Sequence, residues 1–219
     1  MGNKLRLRFS KTGKAKYISH LDLMATMRRT LLRAGIGLAY SEGFNPHPYI
    51  SIALPLPVGT GSICELMDIG LAVDLLPDGL PEIINEFLPE GLKVLEVYSP
   101  EAKLSSVAWI DISGLLYYDA GAPRNAAEKL AERFAENHIV ISKKTKRGIS
   151  DIDISPFIRD VCFTHHSEVI MSARISAQNP TITPENLMSS LIDDHKALIP
   201  DFYDFTRTQV LDKDMNVFR

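Results

Sequence analysis

The first pattern in the chain is an alternation. From Lys4 to Ser10, Leu5, Leu7 and Phe9 fall on one side and Lys4, Arg6, Arg8 and Ser10 on the other. A period of two predicts a half-buried strand, here with a basic outer face. The period then lengthens. Leu23, Met24, Met27, Leu31 and Ala34 recur at helical spacing, opposite a polar stripe of Asp22, Thr26, Arg29 and Arg33. Ser19 and Asp22 stand where a capping box needs them, and Gly35 stands where such a helix stops. Met24 and Met27 therefore belong to a core. Apolar alternation returns at Ile50–Leu56 and Glu65–Val73, with a short helix predicted over Pro81–Leu88 and a strand over Leu92–Tyr98.

Strand, helix, strand, strand, helix, strand is the split βαβ, or ferredoxin-like, order. The second half repeats it with less contrast: a strand over Val107–Tyr118, a helix over Pro123–Asn137 and a strand beginning at Ile139–Ser142. After an insertion come strands near Asp160–Thr164 and Glu168–Ala177, a helix over Pro184–Asp194 and a last strand over Phe205–Leu211. The expectation is an α+β chain of two tandem ferredoxin-like domains with antiparallel sheets. They would span residues 1–103 and 104–219, the second carrying a basic insertion at 143–158.

Composition narrows the class. With 219 residues, 45% of them hydrophobic, and only two cysteines, the chain is neither disordered nor a disulfide scaffold. Cys64 and Cys162 are too far apart for a CxxC unit, the first residues are charged where a secretory leader is apolar, and no run of about 18 apolar residues occurs. A cytoplasmic protein with no membrane contact is expected. The net charge of −3 excludes a uniformly basic nucleic-acid binder. It conceals a strong polarity, because residues 1–48 carry +7 and residues 49–105 carry −7. A second basic island lies at Lys143, Lys144, Lys146 and Arg147.

His20 falls in the first turn of the predicted helix, where the positive end of the helix dipole favours a neutral imidazole able to act as a base or to contact a ligand. A hydrogen bond holding the next loop is the alternative. In Tyr40-Ser-Glu-Gly-Phe-Asn-Pro-His-Pro48, two prolines flank His47 and two aromatic rings stand in what should be a polar loop. Tyr40 and Phe44 either stack unpaired bases or plug the domain's own core. Pro55–Gly61 lacks the Lys-Ser/Thr of a phosphate loop, and Cys162, His165 and His166 lack the paired spacing of a zinc site. No nucleophile elbow is present. Neither a metal nor another cofactor is expected, and no catalytic constellation beyond the isolated candidates His20 and His47 can be read.

Three tracts, Tyr17–Met24, Tyr40–Pro48 and Ala53–Gly59, closely resemble the radical SAM-linked protein family, a bacterial domain of unknown function found alone or fused behind a radical S-adenosylmethionine protein. The tract from Lys143 to Asp153 is similar to that family's basic segment. The resemblance implies an accessory role beside a separate radical SAM protein, since two distant cysteines cannot hold the iron–sulfur cluster. The family's gene neighbours, ribonuclease G and ribosomal proteins, imply an RNA context. By element order the chain is also similar to the RNA-processing endonucleases of the RAMP superfamily.

The leading expectation is an accessory protein without catalytic activity of its own that binds RNA and presents it to a radical SAM enzyme. Arg6, Arg8, Arg29, Arg33, Lys144, Lys146 and Arg147 would hold phosphates. Tyr40 and Phe44 would stack, and His20, Asn45 and His47 would line one site. The alternatives are a metal-independent RNA endonuclease using His20 or His47 as base, and a protein-docking module that never meets nucleic acid.

Overall fold

The strand predicted from alternation is β1 (Lys4–Lys11), and its apolar side is fully buried at Leu7 and Phe9. The computed structural model describes residues 4–72, 78–145, 148–192 and 195–219. These form two units, Met1–Val107 with Val217–Arg219, and Ala108–Asn216. Both mix sheet and helix, so the fold class is α+β, with more strand than helix.

The first unit continues with α1 (His20–Arg33), β2 (Ile50–Ile52), β3 (Gly61–Gly70), α2 (Leu80–Asn85) and β4 (Leu92–Tyr98). β1 lies between β4 and β3, antiparallel to both, with Leu7 opposite Val97 on one side and Met67 on the other. β2 pairs with β3 through Ile50 and Ile69, along a stretch whose other edge β1 already occupies, so the strand order is β4-β1-β3-β2. Leu23, Met27 and Leu31 of α1 and Ile84 of α2 join Leu7, Phe9, Ile69 and Val94 in one core. Truncating Met27 to Ala would cost about 2–5 kcal/mol through lost burial and the cavity left behind.

The capping signals of α1 act with one difference. The Ser19 hydroxyl accepts from the Asp22 amide at 3.1 Å and donates to the Asp22 carboxylate at 2.7 Å, so the reciprocal bond uses the hydroxyl in place of the Ser19 amide. At the far end Gly35 takes a left-handed φ of 73° while the Ile36 amide reaches back to the Leu31 carbonyl at 3.0 Å. β2 stops at Ile52, short of the predicted Leu56. Leu54 adopts φ 46°, and Pro55 and Pro57 have no amide to give a ladder.

The side of β1 that the pattern marks as basic is not open. Arg6 is 0% exposed and grips the Asp68 carboxylate at 2.6 and 2.9 Å and the Ala102 carbonyl at 2.7 Å. The Phe218 ring lies 5.0 Å from its guanidinium. Beside it Arg8 pairs with Glu96 at 2.9 Å. Arg219 binds the same Glu96 at 3.3 Å and stacks on Tyr98 at 4.8 Å, and its carbonyl accepts from the Ala102 amide at 3.1 Å. Residues from the far end of the sequence thus cover the first strand. Lys11 is buried as well, donating to the Lys16 carbonyl at 2.9 Å, and burial pushes its amine below the usual lysine range.

The second unit contains β5 (Trp109–Tyr117), α3 (Ala126–Phe134), β6 (Val140–Thr145), β7 (Gly148–Asp153), β8 (Ile158–His165), β9 (Val169–Ser176), α4 (Pro184–Ser189) and β10 (Phe202–Leu211). Its main sheet has the antiparallel order β10-β5-β9-β8. Ile110, Ile112 and Leu116 of β5, Val169, Met171 and Ile175 of β9, and Leu130 and Phe134 of α3 are buried. Gly114 is required by close approach, since a Cβ there would stand 2.3 Å from the Phe205 ring. The predicted insertion turns out to contain a paired element: β6 and β7 form a two-stranded hairpin with Ile141 opposite Ile152. Asp153 closes its base, accepting from His138 Nδ1 at 2.7 Å, the Ile139 amide at 3.1 Å and the Ser155 amide and hydroxyl at 3.0 and 2.7 Å. These bonds, led by that from His138, hold its carboxyl well below the usual carboxylate range.

Candidate functional site

The loop after α1 is a closed hairpin. Its base is set on Gly70 of β3, whose carbonyl accepts from Ala39 at 2.9 Å and whose amide donates to Tyr49 at 2.8 Å. A Cβ on Gly70 would come within 2.9 Å of the Tyr49 Cβ, so this seating needs glycine. Higher up, the Tyr49 amide bonds the Ala39 carbonyl at 2.9 Å and the Ser41 amide bonds the His47 carbonyl at 2.8 Å. The Ser41 hydroxyl accepts from the His47 amide at 2.9 Å. Pro46 and Pro48 stiffen the returning arm.

At the tip of this hairpin Phe44 stands fully in solvent, with a relative exposure of 112%. Tyr40 is 41% exposed, and Asn45 and His47 are exposed too. The two rings therefore do not plug the core. An apolar ring held outward forgoes the burial that would normally stabilise it by about 2 kcal/mol.

His20 is elsewhere. It opens α1 just after Lys16, whose carbonyl accepts from the Gly59 amide at 2.9 Å, beside the Gly61 end of β3 where Lys11 faces Ser62. The hairpin is seated on Gly70, the opposite end of that strand. At about 3.3 Å per residue the strand alone separates these two levels by more than about 20 Å. His20 and His47 therefore do not line one site with Asn45, and each lacks the other as an acid or base partner.

The basic residues divide into two groups. Arg6 and Arg8 are taken up by Asp68 and Glu96, and Arg6 has no surface left for a phosphate. Arg28, Arg29 and Arg33 of α1 are exposed, and among the described residues they form no ion pair. Arg29 and Arg33 border a cleft of about 450 Å³ whose other residues are Thr26, Thr30, Glu86, Phe87, Leu88 and Pro89. The Thr30 hydroxyl fastens the two walls by donating to the Phe87 carbonyl at 3.3 Å. Neither Glu86 nor Phe87 stands out as a candidate in the sequence, where both read as parts of a short amphipathic helix.

In the second unit Lys143 donates to the Thr181 carbonyl at 2.7 Å. Lys144 keeps its place in β6 opposite Ile149. Lys146, Arg147 and the side chain of Lys144 lie outside the described residues. Cys64 is buried in the first unit and Cys162 exposed in the second. Among the described residues no three His, Cys, Asp or Glu side chains gather as metal ligands, and no helix is long and apolar enough to cross a membrane.

Comparison with solved structures finds a chain in the crystal structure of a Cbf5-Nop10-Gar1 complex, with a TM-score of 0.51 at 11% identity. The match covers 94% of this chain and 48% of that one, so the present chain spans about half the length of its counterpart. At such identity the likeness concerns the fold alone. A crystal structure of an unknown protein from Galdieria sulphuraria aligns over 94% of this chain and 99% of its own at 8% identity, with a TM-score of 0.28. No curated protein matches the sequence. The profile of a family described as "uncharacterized protein conserved in bacteria (DUF2344)" matches residues 4–184, most of the chain's length. The chain belongs to that bacterial family.

Proposed function

We propose that this protein binds RNA through its first unit and presents it to a separate radical SAM protein, without catalysing a reaction alone. The observation that carries the reading is Phe44, an aromatic ring held wholly in solvent by a loop tied through its own backbone. A ring presented in this way offers a stacking platform to any unpaired base, and the three exposed arginines of α1 offer charge for phosphates. Loops, bulges and strand ends are the parts of RNA that supply such bases. We further read both units as ferredoxin-like, a reading supported by the orders β4-β1-β3-β2 and β10-β5-β9-β8, each the fourth, first, third and second strand of its unit apart from the inserted hairpin. The radical SAM partner is supported by the motif resemblance of Tyr17–Met24, Tyr40–Pro48 and Ala53–Gly59.

Filter binding of ribosomal RNA at several salt concentrations tests the RNA reading. Affinity should fall steeply with salt, and Phe44→Ala should weaken it about tenfold. Undetectable binding, or binding indifferent to salt, overturns it. The engagement of Arg6 and Arg8 by acids favours one second reading, a protein-docking surface built on the same hairpin. Co-purification with the radical SAM protein in the absence of any ultraviolet crosslink to RNA would select it.

A further inference from the structure

The cleft between α1 and the segment after α2 is not needed for stacking on Phe44, and its two walls differ in chemistry. On one wall Arg29 and Arg33 are one helical turn apart, interleaved with the hydroxyls of Thr26 and Thr30. Both guanidinium groups lack an acid partner among the described residues. On the other wall Phe87 shows 38% of its surface, next to Glu86, which forms no ion pair with a described residue. Arg29, Arg33 and Glu86 thus line one cavity without pairing with one another.

A ligand that satisfies both walls must be anionic at one end and carry hydrogen-bond donors and a flat face at the other. A nucleotide has that form: a phosphate for the two arginines, a ring for Phe87, and a ribose hydroxyl or exocyclic amine for the Glu86 carboxylate. The cavity of about 450 Å³ lies within the roughly 300–1,000 Å³ of small-ligand sites. We propose that this cleft holds a single nucleotide splayed from an RNA strand, its phosphate between Arg29 and Arg33 and its base or sugar against Phe87 and Glu86. The source of the nucleotide rests on the RNA reading above, while the cleft itself does not.

Two titrations separate these parts. The first measures fluorescence anisotropy of a labelled single-stranded RNA of about 12 nucleotides, within the span that a single-strand-binding groove covers, with the natural protein, Phe44→Ala and Arg29→Ala/Arg33→Ala. The second follows amide NMR shifts of Thr26, Thr30 and Phe87 as AMP or UMP is added. The double variant should bind the RNA at least about tenfold more weakly, with a salt slope smaller by roughly 0.7 for each phosphate that is no longer neutralised. All three substituted residues are at the surface, so an unchanged amide spectrum elsewhere establishes that the variants fold. If the double variant binds RNA as the natural protein does while Phe44→Ala does not, the cleft proposal is overturned and the RNA reading stands. If no RNA binds but AMP or UMP shifts the three amides, and the double variant abolishes those shifts, the cleft stands as a free-nucleotide site and the RNA reading falls. If neither ligand produces a signal, both are overturned.

Discussion

β1 and α1 lie within thirty residues of each other and carry similar numbers of arginines, yet they use them in opposite ways. Arg6 and Arg8 sit on a sheet face crossed by neighbouring strands and by the returning tail, and each finds an acid there. Arg29 and Arg33 sit on the outer stripe of a helix with no described acid in pairing distance. A sheet brings carboxylates from distant sequence directly opposite its cations, as β3 brings Asp68 to Arg6. On the α1 stripe the i±3 and i±4 neighbours of Arg29 and Arg33 include no acid, and Glu86 across the cleft pairs with neither. The two basic stretches of the first unit thus differ in how much of their charge the fold itself consumes.

The sharpest way to break this contrast is Arg6→Ala. It leaves Asp68, itself only 18% exposed, without its partner, and should lower unfolding stability by about 3 kcal/mol in urea titration. RNA affinity of the protein that remains folded should not change. A change as large as that from Phe44→Ala would mean that Arg6 contacts ligand after all. Phe44→Ala should do the reverse, shifting stability by less than about 0.5 kcal/mol while weakening RNA binding about tenfold.

Asp153 extends the contrast to the second unit, because its carboxylate also works inside the fold. A carboxyl held below its unfolded value near 3.9 contributes stability that is complete above that pH and is lost as acid approaches the lowered folded value. Asp153→Asn should cost about 1 kcal/mol at neutral pH and flatten the acid limb of stability measured from about pH 6 to about pH 2. The smallest effect is expected at Arg8→Ala. Its pair with Glu96 is partly exposed, and Glu96 keeps Arg219, so a loss of no more than about 0.5 kcal/mol should be found.

Much of this architecture is legible before any coordinates, because β1 and α1 are written in clean periods and α1 carries its own start and stop signals. What the pattern does not reveal is where long-range partners fall. Alternation assigns Arg6 to a face but does not say whether that face is wet, and the answer depends on Asp68, Ala102 and Phe218. The grouping of His20 with His47 fails for a related reason: both flank the same helix in sequence, and a helix is also a spacer. The β7 strand escapes a reading by periodicity because Gly148–Asp153 has no apolar alternation to announce it, only pairing with β6. The exposed state of Tyr40 and Phe44 is one of two readings the sequence permits, since an aromatic residue in a loop is equally suited to a core until its burial is known.

The tail over Arg6 also has a consequence for the order of assembly. Phe218 is 212 positions after Arg6, and the unit they complete is interrupted in sequence by the whole of the other. A ribosome releases the first strand long before the ring that lies against it. The first unit therefore lacks the Phe218 ring beside Arg6 and the Arg219 contacts with Glu96 and Tyr98 until Val217–Arg219 have emerged.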